Sequence, residues 1–182
     1  MSAPPVALIG YRGAGKSTAG RSLARRLGWE FIDTDERVEQ QARMSVAELF
    51  ARLGEPHFRR LEHETLAAAL AAGERVVSVG GGAVCGEENR RLLAGRAVCI
   101  WLRAAPHVLA QRLAADPRSA ALRPALTSLP PEEEVRRLLA QRTPHYAALA
   151  GAVVDTDERM PDDVLNDLLS CVRRLLPGTT AP

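Results

Sequence analysis

The chain is predicted to be an α/β layered domain around a parallel sheet, and two features of its 182 residues carry that reading. Short apolar segments that read as buried strands alternate with longer segments of helical period, the pattern of repeated βαβ units. The first of those strands runs into "GYRGAGKS" (Gly10–Ser17), which matches the phosphate-binding loop G-x-x-x-x-G-K-[ST] in its strand–loop–helix setting.

The elements follow in order. Val6–Ile9 is a four-residue apolar strand, and Ser17–Leu27 is the helix after the glycine loop. Glu30–Ile32 reads as a second strand, ending in "FIDTDE" (31–36). A long helical period covers Val46–Ala72, and Arg75–Val79 is a third strand that runs into three glycines. Ala97–Leu102 is the fourth strand and Pro106–Ala115 the helix behind it. The stretch 116–134, "DPRSAALRPALTSLPPEEE", holds four prolines and no steady period. A loop of that length in a compact domain is usually functional, so a lid is expected over about 116–131. Glu132–Leu149, Ala152–Val154 and Pro161–Leu175 read as helix, strand and helix, and 177–182 ("PGTTAP") as a frayed tail. There is no internal repeat, and the length fits a single domain over 1–182.

Composition narrows the function classes. The 46% apolar and 25% charged fractions are those of a soluble globular protein. A net charge of +2, with no Lys/Arg block and no aromatic platform, gives no reason to expect a nucleic-acid partner. No apolar run approaches the ~20 residues of a membrane helix, and "MSAPPVALIG" lacks the basic start and apolar run of a signal peptide. Cys85, Cys99 and Cys171 are odd in number and lack metal-ligand spacing, as expected of reduced thiols in a cytoplasmic protein.

The glycine loop states its chemistry. Gly10, Gly13 and Gly15 let the backbone turn its N–H groups toward one anion, and the following helix adds its positive end. Lys16, the single lysine in the chain, can place a charge between the terminal phosphates, and the Ser17 hydroxyl can ligate Mg²⁺. ATP and Mg²⁺ are the expected cofactors.

Beyond the loop the readings divide. Asp33 and Asp35 end a strand at the edge where open α/β sheets bind ligands. Asp33-x-x-Glu36 also fits a helix cap, while two carboxylates two positions apart fit a cation site and a base. Arg59 and Glu62, three apart on a helix, fit a solvent-facing ion pair or part of a site. His57, His63, His107 and His145 show no metal spacing. Three glycines, Gly80, Gly81 and Gly82, exceed what a turn needs and suggest a closely approached backbone. No Asp ends the third strand to supply the usual second Mg²⁺ ligand, which leaves Asp33 for that part.

In order, "GxxGxGKST", "DTD", "GExxFRxxE", "GGG", an Arg-Pro pair in the flap and "RxxxY" (Arg142 to Tyr146) resemble shikimate kinase over Val6 to Leu175. The resemblance implies a P-loop kinase fold of the nucleoside-monophosphate-kinase type, with a five-stranded parallel sheet in order 2-3-1-4-5, flanking helices and a lid. It implies transfer of the ATP γ-phosphate to the 3-hydroxyl of shikimate in aromatic amino acid biosynthesis. Gly13, Ala14, Gly15, Lys16, Ser17 and Thr18 would hold the nucleotide, with Arg112, Arg159 and Pro161 around the adenine. Asp35 would hold the shikimate hydroxyls and act as base, and Asp33 would join Ser17 at Mg²⁺. Arg59 and Arg142 would clamp the carboxylate, Gly80, Gly81 and Gly82 would meet the ring hydroxyls, and Arg123 in the lid would reach the transferring phosphoryl group. The flap reads "RPAL" where the family usually has "RPLL". The expected protein is a cytoplasmic monomer acting on a small molecule.

Two other readings stand beside this one. Another metabolite kinase on the same fold, such as a gluconate kinase, would also place arginines at an acid carrying neighbouring hydroxyls. A P-loop switch or assembly protein would bind ATP without an acceptor, but one compact domain with a flap argues against it.

Overall fold

A computed structural model describes residues 2–116 and 130–179 of the chain. Five parallel strands form one sheet: β1 (Val6–Ile9), β2 (Glu30–Asp33), β3 (Arg75–Ser78), β4 (Val98–Arg103) and β5 (Ala152–Asp155). Their spatial order is β2-β3-β1-β4-β5, the order that the resemblance implies.

β1 is central, with Val6 in register with Val76 of β3 and Val98 of β4. All four of its residues are buried, so it reads as a continuous apolar run rather than an alternation. Successive strand side chains face opposite sides. Val6 and Leu8 accordingly join a core with Leu23, Ile100, Leu109 and Leu168, while Ala7 and Ile9 join another with Leu66, Leu93, Trp101 and Tyr146. Each fully buried aliphatic side chain of this kind contributes roughly 1.5–3 kcal/mol. At the edge, β5 alternates buried and exposed residues.

Among the described residues the helices are α1 (Lys16–Leu27), α2 (Thr34–Ala42), α3 (Val46–Ala69), α4 (Glu87–Arg96), α5 (Pro106–Ala115), α6 (Pro131–Leu149) and α7 (Pro161–Leu175), with a 3-10 turn at Ala83–Cys85. Proline opens α5, α6 and α7, where a missing N–H leaves no intrahelical bond unmade. A third, smaller core of Val38, Val46, Leu49 and Phe58 joins α2 to α3.

The structure departs from the sequence reading in three places. α2 and α4 fill stretches for which the periodicity predicts no helix. The segment read as one helix over Val46–Ala72 ends at Ala69 and is broken at Gly54, whose φ of 77° and ψ of 167° are not helical. That backbone region is nearly exclusive to glycine, and Pro56 follows it inside the next turn. Most of the expected lid, with Arg123, lies outside the described residues, as do 180–182 of the expected tail. Pro177 to Thr179 form a turn in which the Thr179 N–H donates to the Leu176 carbonyl at 3.2 Å. Among the described residues no helix is long and apolar enough to cross a membrane.

The sheet order fixes where chemistry can occur. β2, β3 and β1 are neighbours, so the "DTDE", "GGG" and "GYRGAGKS" segments leave the sheet side by side at its carboxyl edge, where open α/β sheets bind ligands.

Candidate active site

The loop between β1 and α1 holds Gly10, Gly13 and Gly15 at positive φ, 139°, 82° and 86°. At Gly10 a Cβ would lie 2.3 Å from the Leu102 carbonyl oxygen, so space as well as conformation demands glycine there. Lys16 is 8% exposed, and its Nζ donates to the carbonyls of Gly10 and Tyr11, each at 2.9 Å. The lysine therefore braces the loop in addition to bringing a charge to its mouth. A cavity of about 550 Å³ opens over the start of α1, lined by Gly13, Gly15, Lys16, Ser17 and Thr18 and, opposite, by Asp33 and Asp35. Ala14 packs into the core instead.

Asp33 caps α2 and also reaches the phosphate loop. Its Oδ1 accepts from the N–H groups of Asp35 and Glu36 at 3.1 and 3.3 Å, capping α2, while Oδ2 accepts from the Ser17 hydroxyl at 2.6 Å. Ser78 Oγ, at the end of β3, lies 3.5 Å from Ser17 Oγ. Glu36 turns away to pair with Arg21 rather than returning to the cap. Thr34 accepts from the Gly80 N–H at 2.9 Å, which ties the start of α2 to the glycine run and sets Asp35 over it.

A second, narrower cavity of about 100 Å³ adjoins the first, and Arg12 and Asp35 line both. Two guanidinium groups meet in it. A Cβ on Gly82 would lie 3.2 Å from Arg59 Nη1 and 3.8 Å from Arg142 Nη2, so both forks converge on that glycine. Arg59 is held by Glu62 at 2.9 Å and Glu55 at 3.1 Å. Glu62 is 3% exposed, so this is not the solvent-facing pair that an i,i+3 spacing allows. Burial raises its carboxyl above the ordinary range, against the pull of Arg59. Arg142, on α6, donates to the Gly81 carbonyl at 3.3 Å and lies 5.3 Å over the Tyr11 ring. Tyr146, one turn on, donates to the same carbonyl at 2.6 Å. Phe50 and Phe58, in tilted ring contact at 4.7 Å, form the apolar wall. A site with paired guanidinium groups, an apolar wall and a carboxylate at its border suits a small acid with hydroxyls.

The remaining predicted residues separate. Arg112 lines the larger cavity and donates to Thr156 Oγ1 at 3.0 Å, the Thr156 carbonyl at 2.6 Å and the Gly13 carbonyl at 3.4 Å. Arg159 pairs with Asp167 at 3.0 Å, and neither it nor Pro161 lines that cavity. Arg123 lies outside the described residues. Among the described residues no cluster of three or more His, Cys, Asp or Glu could hold a metal alone. Tyr11, Arg12, Glu134 and the two phenylalanines are not predicted from sequence, because a loop motif leaves its variable positions unassigned and a buried aromatic pair reads as core.

The arrangement has close counterparts. The shikimate kinase family model matches residues 12–173. Shikimate kinase 2 of Yersinia enterocolitica is 43% identical over 162 residues, 89% of this chain and 91% of that protein. The structure of shikimate kinase from Acinetobacter baumannii in complex with shikimate matches with a TM-score of 0.89 at 31% identity, covering 96% of each chain. A gluconokinase from Sinorhizobium meliloti, at a TM-score of 0.60 and 16% identity over 94% of this chain and 93% of that one, shares the fold alone. Similarity that spans both cavities at these identities decides between the kinase readings, and the chain belongs to the shikimate kinase family.

Proposed function

We propose that this chain transfers the γ-phosphoryl group of ATP to the 3-hydroxyl of shikimate, giving shikimate 3-phosphate for aromatic amino acid biosynthesis. The observation that carries the reading is the junction of the two cavities: a braced phosphate loop on one side, the Arg59 and Arg142 guanidinium groups on the other, and Asp35 on the wall between them.

Lys16 and the loop N–H groups hold the triphosphate, with Arg112 beside the loop. Arg59 and Arg142 bind the carboxylate through parallel charge-assisted hydrogen bonds, and Gly80, Gly81 and Gly82 leave room for the ring. Asp35 orients the 3-hydroxyl and accepts its proton as that oxygen forms a bond to the γ-phosphorus and the bond to the β,γ-bridging oxygen breaks. Positioning supplies most of the catalysis in such a transfer.

The donor set fits Mg²⁺. That ion keeps several waters and takes one or two protein carboxylates together with substrate phosphates. Ser17 Oγ and Asp33 Oδ2, 2.6 Å apart at the nucleotide cavity, would hold it. When bound it supplies neutralisation of the phosphate charge. Arg123 would bring further charge from the lid, and Arg159 with Pro161 would border the adenine.

One chain lines both cavities, which supports a monomer acting as one kinase unit over 1–182. Its reduced Cys85, Cys99 and Cys171 and its use of ATP support a cytoplasmic location. An ADP-release assay across shikimate, gluconate and no acceptor tests the reading. Release that depends on shikimate is expected; turnover of gluconate in place of shikimate overturns it.

A further inference from the structure

We infer that Arg12 is a catalytic residue on the acceptor side: its guanidinium receives the phosphoryl group as it arrives on the acceptor, and Glu134 aims it there. The inference rests on the kinase reading above and assigns a variable position of the phosphate loop.

Three observations place it. Arg12 and Asp35 are the two described residues that line both cavities. A phosphoryl group moving from nucleotide to acid crosses that boundary, so the groups on the boundary face it throughout. Asp35 serves the proton; a cation beside it serves the charge that moves onto the acceptor oxygen. Second, the Arg12 guanidinium is largely buried and held by one strong contact, Nη2 to Glu134 Oε1 at 2.7 Å, with side-chain exposures of 15% and 4%. Its Nε is buried with no hydrogen-bond partner among the described residues. A buried guanidinium donor without a partner costs free energy unless something else accepts it. The neighbouring Tyr11 hydroxyl faces this guanidinium closely enough to feel its charge, but the two buried groups make no well-aligned hydrogen bond to each other.

Third, the carboxylate end is already served. Arg59 and Arg142 converge on Gly82, while the Arg12 backbone stands against Gly81, 3.1 Å from where its Cβ would be. Arg12 thus approaches from the loop side of the glycine run, where the transferred group arrives. A phosphate ester carries roughly 1.5 to 2 negative charges at neutral pH, and arginine meets its oxygens with two parallel donors. In the absence of that charge Glu134 neutralises the guanidinium. It stands in the first turn of α6, eight residues before Arg142 on the same helix, with its N–H on the Pro130 carbonyl at 2.9 Å. Glu134 is a positioning residue.

The prediction separates product from substrate. Removing Arg12 should weaken shikimate 3-phosphate about ten- to a hundredfold and lower kcat by at least as much, with shikimate and ATP affinities within about threefold of wild type. Arg12→Gln takes a guanidinium partner away from a buried carboxylate, so the Arg12→Gln/Glu134→Gln double variant is measured beside it, and Arg12→Lys tests for partial rescue. Calorimetric titration with shikimate, shikimate 3-phosphate and ATP gives the affinity ratio, and melting temperatures report the fold. A double variant that melts like wild type and keeps the wild-type ratio of product to substrate affinity would show that Arg12 merely braces α6, and would overturn the inference. Wild-type turnover of shikimate, assayed in parallel, tests the parent reading separately. If another acid is the acceptor, the same ratio read with that acid and its phosphate decides the role of Arg12.

Discussion

Each glycine after β3 makes room for a different group of the protein itself. A Cβ on Gly80 would sit 2.5 Å from Asp35 Oδ1 and 3.4 Å from Glu62 Oε1; one on Gly81 would meet the Gly10 carbonyl at 3.2 Å; one on Gly82 would meet Arg59. The close approach suggested by the triplet is thus made first by Asp35, the phosphate loop and Arg59. Gly80 has no positive φ, so alanine there is acceptable to the backbone and acts through the Asp35 contact. Gly80→Ala should displace the base by about an ångström and lower kcat about a hundredfold. ATP affinity and melting temperature should stay near wild type. Steady-state kinetics with nucleotide titration checks this, and a kcat within twofold of wild type would remove Asp35 placement as the reason for the glycine.

At the scale of elements, α3 is the part whose shape the site depends on most. Ser45 and Glu48 close a capping box at its start, while Gly54 breaks its course before Phe58, Arg59 and Glu62. Gly54→Ala would force a side chain into a backbone region that costs on the order of 1–3 kcal/mol. The expected result is a lower urea midpoint and a raised KM for shikimate with an unchanged KM for ATP, because the second half of α3 borders the cavity that holds Arg59 and Arg142 and not the one over the phosphate loop. An equal rise in both constants would locate the damage in the whole fold instead. All five strands are legible in the sequence to within a residue at either end, because buried parallel strands are short apolar runs. So are the loop and the helices that bury a regular stripe. α2 and α4 are not legible from periodicity: "TDERVEQQA" and "EENRRLLAGR" are mostly polar, and the few residues they bury include Thr34 and Asn89. The cap at Asp33 could have revealed α2, since the same carboxylate caps that helix and meets Ser17. Spacing alone could not tell whether Arg59–Glu62 faces solvent, because that depends on what packs over Glu62.

Across the whole molecule, buried charge gathers at one edge of the sheet. Among the described residues the buried charged side chains are Lys16, Glu62, Glu134 and Arg142. Each lines a cavity or pairs with a residue that does. Burying such groups costs stability that partners only partly return, so the site and the fold make opposed demands, and Glu62 shows it through pH. Burial lifts its carboxyl above the ordinary 4.5, opposed by Arg59 and reinforced by the charge of Asp35. The folded protein therefore binds the Glu62 proton more tightly than the unfolded chain does. Stability from this group is complete below its unfolded value and is lost as pH rises through the higher folded value. Glu62→Gln keeps the shape and abolishes the titration. Urea midpoints followed from about pH 4 to about pH 7 should show the variant gaining on wild type as pH rises, while its KM for shikimate rises about tenfold as Arg59 loses a charged anchor. A stability difference that stays flat across that range would mean that Arg59 cancels the burial cost in full, and the carboxylate would then hold the clamp without expense to the fold.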